Sequence, residues 1–297
     1  YCHGEQVAPF ELDGYQTDAL TNLSLEYLNG YDFDQPWFHV LSFESPHPGT
    51  GGNPKYKGFP VPTEYEEMFE PGMIELRDNV PTDKQAQARQ TLCGYYAMIA
   101  NLDDNVGRIL DWLDQTGQAN ETLVVFFSDH GDMMGDHSLF LKGFMHYRGT
   151  LQVPLVIDTP RLSPGQTSSL ASSIDLGPTL MDLCDIDAYD GIQGKSLRPI
   201  VENSNIHVRD SILIEDDVPL ITSKLTPIPA RTRTLLMEEF RFSRNTKGEE
   251  QLFDLSNDHD EMTNIVDQSD LRARMLTSLN DAMMLADDSS RGAPSTH

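Results

Sequence analysis

Between Ser128 and Lys142 the chain reads SDHGDMMGDHSLFLK, gathering Asp129, His130, Asp132, Asp136, His137 and Lys142 directly after the apolar run Val124 to Phe127. Carboxylate oxygen and imidazole nitrogen both bind divalent cations, and adjacent Asp129 and His130 can share one ion if Gly131 lets the backbone turn sharply. A short apolar run of this kind reads as a buried strand, and ligands bind at the carboxyl edge of strands in open α/β sheets. Lys142 follows within reach of the same mouth. A second strand-like run, Trp37 to Phe43, ends at Ser45, Pro46, His47 and Pro48, placing another imidazole at a strand edge.

The elements that must position these groups follow from periodicity. Leu20, Leu23, Tyr27 and Leu28 recur at helical spacing up to Gly30. The Gly- and Pro-rich stretch 48–62 reads as an irregular surface loop, and Thr63 to Phe69 as a short helix. From about Lys84 to Leu113 the apolar positions Leu92, Tyr95, Ile99, Leu102, Val106, Ile109 and Leu113 step by three and four, which predicts a long amphipathic helix with those residues inward. Strand, long helix, strand is the βαβ logic of a parallel sheet, continued by Val153 to Ile157 and by a helix from Asp175 to Cys184, with Asp175 as its N-cap. After Pro199 the texture changes. Ile212 to Ile214, Thr234 to Met237, Phe240 to Ser243 and Gln251 to Leu255 are short strand-like runs, with a turn at Asn245 to Gly248. A helix follows from Asp270 to Ala286, with Leu271, Met275, Leu279 and Met283 inward. The expected division is a larger α/β part over 1–205, a small antiparallel sheet plus helix over 206–286, and a disordered tail over 287–297.

Composition bounds the rest. A chain of 297 residues, 38% hydrophobic, can bury a sizeable core. No run approaches the ~18 apolar residues of a membrane span. A formal net charge of −26 opposes unaided binding to nucleic acid or anionic lipid. Cys2, Cys93 and Cys184 are odd in number and widely spaced, so they define neither a disulfide framework nor a zinc pair. Neither a basic leader region nor an apolar one opens the sequence, so no signal peptide is visible.

Several stretches occur together in one order: Gly14-Tyr15-Gln16-Thr17-Asp18, Ser42-Phe43-Glu44-Ser45-Pro46-His47-Pro48, Tyr95 to Ile99 with Asp103-Asp104, Ser128 to Asp132, Leu141-Lys142-Gly143, Val153-Pro154-Leu155 and Leu252-Phe253-Asp254-Leu255. In this the chain resembles the C-terminal two-thirds of a sulfatase of the alkaline-phosphatase-like superfamily. The resemblance implies an α/β fold with a mostly parallel sheet flanked by helices, and hydrolysis of a sulfate monoester to alcohol and sulfate. It also implies that Asp129 and His130 ligate one divalent cation, calcium in the family pattern, with manganese or magnesium compatible with an imidazole ligand. His47 and Lys142 would contact the sulfate or its leaving oxygen. A metal, a lysine and a histidine around that oxygen stabilise the charge that S–O cleavage builds there; His47 suits the proton donor and Lys142 a fixed positive charge. Asp132, Asp136 and His137 are weaker candidates, expected behind the ligands or on the surface. His146 and Arg148 flank the same mouth and are candidate contacts to the organic part of a small-molecule or carbohydrate sulfate ester.

The resemblance also implies a formylglycine made in a C-x-P-x-R or S-x-P-x-R motif, and neither pattern occurs here. The expectation is that this nucleophile and the first metal-binding aspartates lie upstream of Tyr1, and that these 297 residues alone are inactive. Two alternatives stay open: a phosphonate or phosphodiester hydrolase of the same superfamily, and a non-catalytic relative. A two-zinc phosphatase is disfavoured, because position 43, four before His47, is Phe where that type has Asp.

Overall fold

The computed structural model describes residues 12–49, 55–142, 145–160, 164–217 and 231–290, the side chains of 287–290 excepted. They form two compact units. The first runs to Leu123 and takes in Met134–Ser138; the second comprises Val124–Met133 and the described residues from Leu139 onward. Cys2, residues 50–54 of the 48–62 loop, residues 218–230, and residues 291–297 of the expected tail lie outside the described residues.

The first unit is helical: α1 (Gln16–Asn29), α2 (Thr63–Glu66) and the 31-residue α3 (Gln85–Gln115). Cys93, Ala97 and Met98 of α3 pack with Tyr56, Phe59, Val61, Ile74 and Met134. A Cβ at Gly94 would lie 2.6 Å from the Cβ of Phe59, so α3 approaches this loop more closely than an alanine would permit. The buried face of α3 differs from the apolar stripe: Asn101 and Asn105 are 0% and 1% exposed, while Ile99 is 37% exposed. Hydrogen bonding is the reason. Both amides donate to Asp18 Oδ1 on α1, at 2.9 and 2.7 Å, and a satisfied polar group can stand where an apolar one was expected.

Trp37 to Phe43 is extended and alternates between half-buried and exposed residues, the rhythm of a strand, with Phe38 80% and Val40 67% exposed. It joins no ladder among the described residues, so the strand expected there is not formed: extended backbone becomes a strand only through a hydrogen-bonded neighbour.

In the second unit β1 (Val124–Phe127) pairs with β2 (Leu155–Asp158) antiparallel, Phe127 opposite Leu155 and Val124 opposite Asp158. The parallel relation expected for these two strands is therefore corrected. A parallel return needs a crossover, usually helical, from one end of the sheet to the other. The only α-helix described between them is the four-residue α4 (Arg148–Leu151), and the chain re-enters beside the end it left. The helix α5 (Leu176–Leu183) is preceded by a turn of 3₁₀ helix, and Asp175 caps no α5 amide with its side chain. Its fully buried carboxylate instead accepts the backbone N–H groups of Ser172 and Lys195, each at 2.8 Å, and pairs with Arg209. A further short helix, α6, covers Arg198–Glu202.

The strands β3 (Ser211–Asp217), β4 (Arg231–Met237), β5 (Phe240–Asn245) and β6 (Glu250–Asp254) make an antiparallel meander in chain order, backed by α7 (Ser269–Ser290). Each strand expected in this sheet is present, and α7 continues through Ser290. Leu235, Phe242 and Leu252 of the sheet meet Met275 and Leu279 of the helix, a core built by strand alternation on one side and helical spacing on the other. Among the described residues no helix is long and apolar enough to cross a membrane.

Leu252 is 0% exposed at the centre of this core. Leu252→Ala is expected to lower stability by ~2–5 kcal/mol, read as an earlier midpoint in urea or thermal unfolding; a loss within error would show that the sheet does not depend on this contact.

Candidate active site

Strand β1 delivers Ser128, Asp129 and His130 at its carboxyl end, and the backbone fixes how they sit. Asp129 Oδ1 accepts the His130 N–H at 2.8 Å, folding the carboxylate back over its neighbour. His130 Nδ1 lies 2.9 Å from the Gly131 carbonyl oxygen. A carbonyl can only accept, so Nδ1 bears the proton, and the Lys142 ammonium, which can only donate, meets the Nε2 lone pair at 3.2 Å. Asp129 Oδ2 lies 3.4 Å from the same nitrogen. Three residues chosen from sequence are thus brought together: a carboxylate, an imidazole in one defined tautomer, and a cation.

The turn at Gly131 is held from the other side. Its N–H donates to the Thr150 carbonyl at 2.7 Å, and a Cβ there would stand 2.1 Å from the Gly149 carbonyl oxygen. No side chain fits, so glycine is required by close approach of two backbones. Thr150 Oγ1 also donates to the Lys142 carbonyl at 3.3 Å, so one short segment steadies both arms of the cluster.

Asp129 and His130 suit a divalent cation. A hard oxygen and an imidazole nitrogen face each other, the outward Nδ1–H is anchored on a carbonyl as in metal-bound histidines, and the Lys142 ammonium already rests on the lone pair a metal would use. No group of three or more His, Cys, Asp or Glu side chains converges for a metal among the described residues, and two donors alone would fill only part of a coordination sphere.

The other candidates have partners of their own. His47 belongs to the first unit and is exposed, its Nδ1–H donating to the Pro48 carbonyl at 2.9 Å. Asp136 is 4% exposed and ion-paired with Arg77, and the His137 N–H donates to the Asn79 carbonyl at 3.0 Å; both anchor their segment within the first unit. His146 does not stand at an open mouth. It is 7% exposed, with Nδ1 2.7 Å from Thr234 Oγ1 on β4. Arg148 turns its side chain to Gln152, while its backbone N–H donates to Glu261 Oε2 at 2.7 Å. Spacing near Lys142 placed these two in the mouth; a threonine of the antiparallel sheet 88 residues further along holds the His146 ring, and the Arg148 side chain lies on its own helix neighbour.

His146 ends a hydrogen-bonded chain. Arg241 donates to Ser243 Oγ at 2.7 Å, the Ser243 and Thr234 hydroxyls lie 2.6 Å apart, and Thr234 Oγ1 lies 2.7 Å from His146 Nδ1. The surroundings of His146 disfavour its cation. Burial first, then the charges of Arg241 and Arg233, push its pKa down to about 4.

With these geometries in view, likeness to known proteins becomes informative. Residues 1–186 match the Sulfatase family model, and residues 135–286 match the model for the C-terminal region of N-sulphoglucosamine sulphohydrolase. The chain belongs to the sulfatase family. It is 29% identical to an arylsulfatase of Clostridium perfringens over 289 residues, 90% of this chain and 56% of that protein. It is 35% identical to arylsulfatase K of Xenopus laevis over 189 residues, 62% of this chain and 35% of the relative. Among solved structures, the phosphonate monoester hydrolase of Agrobacterium radiobacter superposes with a TM-score of 0.78 at 26% identity, covering 95% of this chain and 63% of that one. The fold is the alkaline-phosphatase-like α/β fold with an antiparallel C-terminal subdomain, and the chain spans about half the length of the arylsulfatase it matches.

The neutral His146 has a consequence for stability. Between pH 6.5 and about 4 the unfolded chain takes up a proton that the folded one refuses, so stability is lost as pH falls through this window. The loss is expected to reach roughly 3 kcal/mol. Unfolding of wild type and His146→Gln across that range checks it: the variant should be flatter, and identical slopes would show that His146 is not the group responsible.

Proposed function

We propose that this chain contributes the Asp129–His130–Lys142 part of the active site of a sulfuric ester hydrolase. The observation that carries the reading is the cluster itself: an imidazole nitrogen 3.2 Å from an ammonium and 3.4 Å from a carboxylate oxygen, at the end of β1, in a chain of the sulfatase family. Asp129 and His130 would hold one divalent cation, calcium in the first instance and manganese or magnesium as alternatives. The cation would supply Lewis-acid stabilisation of negative charge at the ester, and the family's formylglycine would supply the nucleophile from outside these 297 residues.

The residues of this chain then have distinct tasks. Lys142 places a fixed positive charge beside the sulfate, strengthening the hold on its oxygens as charge accumulates toward cleavage. His47, exposed and with Nδ1–H committed to a carbonyl, keeps Nε2 for exchanging a proton with the leaving oxygen. The substrate class is a small-molecule or carbohydrate sulfate ester; the second family match, named for a sulphated aminosugar hydrolase, favours the carbohydrate. A phosphonate monoester is the second reading, favoured by the structural likeness to the Agrobacterium enzyme.

In the full-length protein Asp129→Ala is expected to lose metal and activity together, whereas Lys142→Ala keeps the metal and loses ~100- to 1000-fold in turnover. Steady-state kinetics on an aryl sulfate and an aryl phosphonate monoester, with metal content measured in parallel, separates the readings. Unchanged turnover in Lys142→Ala removes that residue from the site.

A further inference from the structure

We propose that Glu261 is a positioning residue for the reacting cluster, holding His130 in the tautomer whose Nε2 faces Asp129 and Lys142. The proposal rests on the assignment of those three residues to the site.

Glu261 lies far from the cluster in sequence, in the turn after β6, and is 3% exposed. Its backbone has φ 56°, the left-handed region that disfavours a residue with a side chain and that glycine would occupy freely. A glutamate is held there by what its carboxylate does. One oxygen pairs with the Arg241 guanidinium; the other accepts the Arg148 N–H at 2.7 Å. Arg241 is itself 1% exposed, lies over the rings of Tyr147 and Phe253 at 5.0 and 4.7 Å, and donates to Ser243 at 2.7 Å, so it cannot follow a displaced partner.

Arg148 opens α4, where N–H groups have no acceptor within the helix, so Glu261 fixes where that turn begins. Thr150 belongs to the same turn. Its carbonyl takes the Gly131 N–H at 2.7 Å, and the Gly131 carbonyl takes the His130 Nδ1–H at 2.9 Å. The contact between Gly131 and Gly149 leaves no space for a Cβ, so a shift of α4 is passed to Gly131 and not absorbed. Glu261 thereby acts on His130 through two backbone segments while touching neither substrate nor metal.

The test uses full-length protein labelled with ¹⁵N-histidine and freed of metal, the His130 signal being assigned by its loss in His130→Gln. Wild type is expected to show Nδ1 protonated and Nε2 bare. Arg241→Met with Glu261→Ala removes the pair without stranding a buried charge. It should give a mixture of His130 tautomers and lower kcat by ~10- to 100-fold, with KM within about threefold. Arg241→Met with Glu261→Gln, whose amide oxygen can still accept the Arg148 N–H, should restore both. Leu252→Ala, which weakens the same sheet without touching this chain of bonds, should change neither when assayed well below its Tm. The proposal is overturned by a wild-type His130 protonated on Nε2. It is also overturned by an alanine-containing variant that keeps the tautomer, or by Leu252→Ala shifting it equally. If no sulfate or phosphonate ester is hydrolysed, the functional reading fails, and the tautomer still decides the role of Glu261.

Discussion

The second unit is organised around the buried ion pair of Arg241 and Glu261. Neither charge reaches solvent to any useful degree, so each depends on the other, and removing one partner from such a pair typically costs ~3–5 kcal/mol. The remaining compensation is also local: two aromatic faces and the Ser243 hydroxyl take up the guanidinium. These partners come from β5, from β6, from the turn after β6, and from Tyr147 at the start of α4. What the pair adds is a fixed relation between that sheet and the short segment beside which β1 ends.

Two polar chains leave this centre. One runs from Arg241 through Ser243 and Thr234 to His146, whose burial and arginine neighbours keep it from taking up a proton. The other runs from Glu261 through the backbone of α4 to Gly131 and sets the ring of His130. Two histidines within a short stretch of sequence thus receive opposite roles. Their environments differ in what reaches the ring: burial and two arginine charges oppose a proton on His146, whereas a carbonyl fixes Nδ1–H of His130 and an ammonium reaches its Nε2.

The charge of the chain bears on the proposed chemistry. A surface of −26 gathers divalent cations and repels anionic esters, so recognition of a sulfate has to come from a local reversal of sign. Lys142 beside His130, together with a cation on Asp129 and His130, would supply it. The family's fold places such groups at a strand end, where backbone geometry holds them without long side-chain networks.

Much of this was legible in the residues themselves. The antiparallel C-terminal sheet, its helix, the long helix α3 and the cluster of Asp129, His130 and Lys142 follow from apolar periodicity, from turn residues, and from ligand-type side chains close together in the chain, all local signals. The rest depended on partners distant in sequence. Asn101 and Asn105 could be read as buried only once Asp18 was seen to accept their amides. The antiparallel pairing of β1 with β2 depends on where the intervening loop returns, and the short strand-like runs carry no mark of direction. His146 and Arg148 looked like site residues because they sit near Lys142 in sequence, yet Thr234 and Glu261 withdraw them. Sequence by itself determined which groups are available for chemistry, since that is a matter of side-chain type and short-range spacing. Tertiary structure alone decided their protonation and orientation, because these are set by hydrogen-bond partners and burial supplied from elsewhere in the chain.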